Sequence, residues 1–433
     1  MARPGGRWRF SAGVENRSSG VPFSPASPVC SACLTKPITA LSVARLAVEG
    51  RIHLDRPVRE YLPFFRLLDP AASRVASLRD LLAHRTGLAA HFLAWHGRRC
   101  SRAGLINRLR FLEPSAGFRE RFQYCSLGYV AAGCALGSAC GSSWEAEVTR
   151  SVLQPLGMEA SRVPRLQGAV AAWPVGYVHR RFGDDRVSRR PEGGNNWVSS
   201  TLGDLSCFAQ YCARPERLGS VGERSVAIMM TPHVPVKEPS RFPELGPLSY
   251  GLGFFLRRYR GYQMAEARGN MCGFSSHLCI LPELRLSAVA VANMEGSGLP
   301  RFVCYSAIDA ELEVQSSPWL ARLCQAKSPR ARAGPKSVHA VARSSVPSLR
   351  PYLGAYSSPA YGPLRVLALR GCLKLRFRGE LWSLDSTPGG LEIPGDQPIP
   401  VRPVSSGGCV KSLAIRFEPD APSYIQFRRL HGR

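Results

Sequence analysis

The sequence predicts an α/β protein of the α+β kind, followed by a C-terminal all-β domain. Three observations predict it. Leu34, Ile38, Leu41 and Val48 recur at helical spacing, Arg45 is the one break in the stripe, and Gly50 stops the pattern. Apolar runs at Tyr250 to Leu256, Leu278 to Leu281 and Leu286 to Asn293 read as sheet strands, with Pro282 and Glu283 turning between the last two. Beyond Pro347 the text changes to short alternating runs separated by glycine-rich turns.

The expected amphipathic helix carries the first chemical signal. Pro37 fits only near a helix start. At that start stand Cys33 and Lys36. Residues i and i+3 share a helix face, so thiol and amine can meet. A helix N-terminus also favours negative charge. A nucleophile and an amine held in this way suit covalent acyl transfer. A lone Cys-x-x-Lys equally describes a structural helix with a buried cysteine and a surface lysine, so the rest of the chain must decide.

Further segments follow in a fixed order. They are Leu46 to Val58, Ser77 to Leu88, Tyr124 to Tyr129, Leu153 to Met158, Tyr250 to Gly253 and Gly273 to Ser276. On these the chain resembles the beta-lactamase-related serine hydrolases: class C beta-lactamases, penicillin-binding-protein-like peptidases and related esterases. The resemblance covers residues 10 to 313. It implies a beta-lactamase/transpeptidase-like antiparallel sheet flanked by helices. Residues 10 to 75 and about 195 to 313 would form the main layer, and about 76 to 194 an inserted helical lobe. The family's opening strand or two are expected to be missing. The site would lie between the lobes.

The chemical positions depart from the family one by one. The family's Ser-x-x-Lys is Cys33 to Lys36 here. Its Tyr-x-Asn is Tyr124-Cys125-Ser126, and its Lys-Thr-Gly or His-x-Gly is Ala267-Arg268-Gly269, followed by Asn270. The resemblance therefore implies Cys33 as nucleophile, Lys36 and Tyr124 as the proton-handling pair, and Ser126, Arg268, Gly269 and Asn270 on the substrate side. The amides of Cys33 and Asn270 would form the oxyanion hole, which needs no particular side chain. A thiol near pKa 8.5 needs less activation than a hydroxyl, and a helix N-terminus or nearby lysine lowers it further. Sulfur is also larger than oxygen, and misplacement by about 1 Å can cost about 100-fold in rate. Two readings follow. One is hydrolysis of a small-molecule or peptide ester or amide. The alternative is a catalytically inactive pseudoenzyme that binds or scaffolds. Cys30-Ser31-Ala32-Cys33 is also a Cys-x-x-Cys, but no second pair completes a zinc site and no thioredoxin-like context surrounds it. A Cys30–Cys33 disulfide would silence the nucleophile. No cofactor and no metal are expected.

Composition bounds the rest. A chain of 433 residues can bury a large core and hold two or three domains. The formal charge is +26, and only six of the basic residues are lysine. The arginines are scattered, densest at Arg186 to Arg190 and Lys327 to Lys336, with no recognisable nucleic-acid motif. Compositional drift is the preferred reading, so no specific nucleic acid is expected as a partner. Fourteen cysteines without a regular framework lean towards free thiols and a reducing compartment. No apolar stretch reaches transmembrane length and no signal-peptide core opens the chain. Location and oligomeric state are left open. His84, His91, His96, Asp80 and Asp204 are expected to be structural.

Residues 314 to 346 read as a linker and 347 to 433 as a small β domain. Strands are expected at Leu364 to Leu369, Cys372 to Phe377, Leu391 to Ile393, Ser412 to Phe417 and Tyr424 to Arg428. This tail resembles the β-barrel domain appended to many members of the family, and no catalytic constellation is apparent in it.

Overall fold

The computed structural model describes residues 6, 8–96, 100–163, 175–178, 186–187, 197–240, 242–315, 317–324, 349–388, 390–395, 397–407 and 409–430. The basic stretch Lys327 to Lys336 lies outside them, as do residues 188–190 of the other basic patch.

The helix expected after Cys33 spans Thr35–Val48 and follows a 3₁₀ turn at Ala32–Leu34, which carries Cys33. It is not amphipathic. Every residue from Thr35 to Ala44 is buried. The reason is its position: helices Gly219–Met229, Ser126–Ala139 and Trp144–Val148 pack around it. A helix surrounded by other elements has no solvent face to reserve for polar groups.

A six-stranded antiparallel sheet carries the other side of the site. Its order is Leu286–Ala292, Phe274–Leu281, Tyr262–Met271, Phe255–Tyr259, Leu248–Tyr250, Val234–Val236. The expected strand from Tyr250 to Leu256 is broken in two. Gly253 has φ 90°, and a Cβ there would stand 2.7 Å from the Pro37 backbone, so the chain turns where it meets the first helix. The turn at Pro282–Leu284 falls where the sequence places it.

Strand alternation sorts the central residues onto two faces. Ala265, Ala267, Leu278 and Ile280 join the main core together with Ala32 and Leu34 of the Cys33 turn. Met264, Cys279 and Leu281 face the helix Leu299–Glu311 with Phe302, Cys304, Tyr305 and Ile308. Trp319 packs there too and donates to Asp309 at 2.9 Å, inside the stretch expected as linker. On this face Glu266 is enclosed by Arg257 at 3.1 Å, His277 at 3.3 Å and the Tyr305 hydroxyl at 2.8 Å.

The helical part includes Leu78–Leu82, Phe92–Trp95, Arg102–Ile106, Ser126–Ala139 and Trp144–Val148. Asp80 caps the first of these, exchanging hydrogen bonds with Ser77 and receiving Arg85 and Arg119. Asp204 accepts from Ser161 and follows the Thr201 cap. Many arginines have internal duties of this kind, as Arg260 to Asp309 and Arg322 to Glu244 also illustrate.

The C-terminal part is a nine-stranded antiparallel, barrel-like sheet. The expected strands are present. Gly354–Ser358, Glu380–Ser383, Asp385–Thr387 and Ile399–Ser406 were not legible. Ile399–Ser406 carries Pro400 and Pro403 and an irregular register at Val404/Ser405, which hides its pattern. Among the described residues no helix is long and apolar enough to cross a membrane.

Candidate active site

The site is assembled from the Cys33 turn, the start of the Ser126–Ala139 helix and the end of the Tyr262–Met271 strand. Lys36 Nζ lies 3.3 Å from Cys33 Sγ and 3.3 Å from Ser126 Oγ. It also sits over the Tyr124 ring, 4.8 Å from its centroid, and 5.6 Å from that of Tyr129. Lys36 is only 8% exposed, so its charge is weakly screened by water.

Burial alone would raise the Cys33 thiol. The neighbouring Lys36 charge and hydrogen bonds from Tyr124, Lys36 and the Asn270 backbone together outweigh it. The net direction is down, favouring thiolate. Tyr124 moves the other way: burial first, then Cys33 and Tyr250, push its hydroxyl well above the ordinary phenol value. It therefore keeps its proton and donates a hydrogen bond towards the sulfur at neutral pH.

The glycine of the third motif has a packing reason. A Cβ on Gly269 would come within 2.4 Å of Ser276 Oγ, 2.8 Å of the Ser31 carbonyl and 3.1 Å of Ala32 Cβ. The strand thus lies directly against the turn that carries Cys33. Arg268, its neighbour, faces the other way. It pairs with Glu238 at 3.1 Å and covers the Phe255 ring at 4.7 Å, outside the pocket. Asn270 offers its backbone to Cys33, while its side chain accepts from Ser275 at 2.9 Å and from Gly296 N.

Of the seven residues singled out from the sequence, the structure brings Cys33, Lys36, Tyr124, Ser126, Gly269 and Asn270 together. Arg268 stands apart. The pocket at Cys33 is also lined by Trp95, Tyr129 and Met271, which the sequence reading missed. Tyr129 had a readable signal, since it lies at i+3 from Ser126 on one helix. Trp95 and Met271 had none.

Cys30 does not pair with Cys33. All 14 cysteines are free, and the Cys30 thiol instead faces Cys272, whose own thiol it helps push well up. Glu266, His277 and Cys279 are a set of metal-ligand types, but they lie behind the sheet and the carboxylate already has Arg257 and Tyr305 as partners. His84 is buried, and burial, with Lys36 second, holds its imidazole well below the ordinary value.

Comparison with known proteins bears on the family and the fold. The Beta-lactamase family profile matches residues 1–312. The unguisins hydrolase ungD of Aspergillus violaceofuscus is 25% identical over 318 residues, covering 66% of this chain and 56% of the relative. Esterase EstB of Burkholderia gladioli is 31% identical over 166 residues, 35% of this chain and 42% of EstB. The chain thus spans about half the length of these relatives. The octameric penicillin-binding protein homologue from Pyrococcus abyssi superimposes with a TM-score of 0.61 at 18% identity, covering 96% of this chain and 91% of that one, which speaks to fold alone.

Proposed function

The chain belongs to the beta-lactamase family, and on that premise we propose that it hydrolyses an ester or amide by acyl transfer through Cys33. The observation that carries the reading is the double contact of Lys36, 3.3 Å from both Cys33 Sγ and Ser126 Oγ. The thiolate attacks the carbonyl carbon, and a C–S bond forms as the carbonyl oxygen takes up charge. The amides of Cys33 and Asn270 receive that charge. The bond to the alkoxide or amine then breaks, and Tyr124 or Lys36 supplies its proton. Water, deprotonated by the same pair, attacks the thioester carbonyl; the C–S bond breaks, the carboxylic acid leaves and the Cys33 thiolate is restored.

A second reading has its own observation. Ala267 is 3% exposed and packed in the core, so the family's basic group at that place has no substitute there. On this reading the fold binds without turning over.

Incubation with p-nitrophenyl esters, nitrocefin and a thiol-reactive acylating probe separates the two. Turnover together with an adduct mapped to Cys33 by mass spectrometry is expected. No turnover and no adduct at Cys33 would rule out acyl transfer. The combined variant Cys33→Ser, Ser126→Asn, Ala267→His adds a control. Hydrolysis appearing only in that variant would support the inactive reading.

A further inference from the structure

The Cys33 pocket is narrow. Its volume is ≈ 40 Å³, space for a few water molecules and not for a long acyl chain. One wall is Trp95, 7% exposed, whose indole N–H donates to the Ala90 carbonyl at 3.2 Å. Trp95 belongs to the one-turn helix Phe92–Trp95, too short to hold its own conformation.

That conformation is imposed from the C-terminal sheet. Arg378 donates to the Ala94 carbonyl at 3.0 Å and to the His96 carbonyl, so one guanidinium grips the backbone on both sides of Trp95. The same group donates to the Tyr361 carbonyl at 3.1 Å, tying the grip to its own sheet. At the other end of the turn, His91 has a left-handed backbone, φ 40°. Its amide donates to the Glu418 carboxylate at 2.5 Å, and its ring bridges the Tyr361 hydroxyl and the Glu113 carbonyl, each at 2.9 Å. Three side chains, Arg378, Tyr361 and Glu418, on turns and loops beside strands of the C-terminal sheet thus fix a wall of a pocket built by the other part of the chain.

We infer that Trp95 is the size-selecting residue of the Cys33 pocket, that it restricts the site to short acyl groups, and that Arg378 is the positioning residue that holds it there. The inference rests on the reading of Cys33 as the reacting thiol. Its chemistry is simple: a planar indole held on its backbone at two carbonyls cannot swing aside for a bulky group, whereas a loosened turn can. Lysine cannot replace Arg378, because a single ammonium does not span the same carbonyls with a fixed fork.

The test does not require turnover. Alkylation of Cys33 by iodoacetamide and by a bulky N-aryl maleimide is timed by peptide mass spectrometry in the full chain, wild type and variants. Wild type is expected to favour the small reagent at Cys33 at least about 10-fold more than an exposed cysteine such as Cys372 does, the measure of a gate worth about 1.4 kcal/mol. Trp95→Leu, which keeps an apolar filler, and Arg378→Ala should each abolish that preference, by raising the maleimide rate at Cys33 more than the iodoacetamide rate. Arg378→Lys should not restore it. Equal discrimination in wild type and Trp95→Leu overturns the size-selecting role. Loss in Trp95→Leu with full retention in Arg378→Ala overturns the positioning role. Failure of any reagent to reach Cys33 in Trp95→Leu also overturns the inference, since removal of the wall should expose the thiol. Ester hydrolysis across acyl lengths is run in parallel. No turnover with intact size discrimination sinks only the catalytic reading.

Discussion

The imidazole of His84 accepts a hydrogen bond from the Cys125 amide through Nδ1 at 3.1 Å. That bond pins the tripeptide carrying Tyr124 and Ser126 from behind, while the ring packs among Phe122, Tyr124, Tyr129 and Tyr250. Only the neutral imidazole can accept. Protonation would remove the acceptor and place a second cation close to Lys36.

A pH dependence of stability follows. Burial, then Lys36, hold the folded His84 well below the ordinary 6.5. Below that value the unfolded chain takes up a proton that the native state refuses. The stabilisation is therefore complete above pH 6.5 and falls as pH drops, by up to about 1.4 kcal/mol per unit. His84→Asn, chosen because asparagine tolerates the left-handed backbone at φ 58°, should flatten urea-derived stability between about pH 5 and 6.5 relative to wild type. Parallel curves would assign the acid limb to other groups.

Cys33 should react as a thiolate earlier than an ordinary thiol. The alkylation rate against pH is expected to rise with a midpoint below about 8.5. Lys36→Met should move that midpoint upward, because burial remains and the opposing charge is gone. An unmoved midpoint would show that Lys36 does not tune the sulfur.

Gly269→Ala should destabilise the protein by about 1–3 kcal/mol through overpacking. The added Cβ meets Ser276 Oγ and the Ser31 carbonyl, so the Cys33 turn must shift as well. A chemical denaturation curve and the Cys33 alkylation rate should change together. A neutral substitution would mean that turn and strand have slack.

Glu266→Gln should cost about 3–5 kcal/mol, since Arg257 and His277 would keep buried charge without a counter-ion. Burial opposes the His277 imidazolium, but Cys279 and Glu266 raise it to about 9. Its contribution is therefore full below the ordinary 6.5 and lost as pH climbs through about 9. The variant should lack that alkaline loss in urea titrations compared with wild type.

Short-range geometry explains what could be read in advance. Cys33 and Lys36 are three apart on one helix start, and a helix brings such residues together whatever surrounds it. Tyr129 could have been found by the same rule from Ser126. Strand alternation could also have separated Arg268 from Gly269, since adjacent strand residues face opposite sides. Arg268 accordingly meets Glu238, while Gly269 meets the Cys33 turn.

By itself the sequence determined the α+β fold with its β-rich tail, the Cys33–Lys36 pairing, and the structural rather than chemical part of Asp80. Each depends on periodicity, local spacing or an ordered series of segments. Tertiary structure alone decided that the first helix is buried on all sides, that Cys30 turns to Cys272, and that Trp95 walls the pocket under the grip of Arg378. Those outcomes depend on which surfaces meet. Arg378 and the Ala94 carbonyl are joined only because the C-terminal sheet docks on that turn, and no local pattern encodes a contact between residues so far apart in the chain.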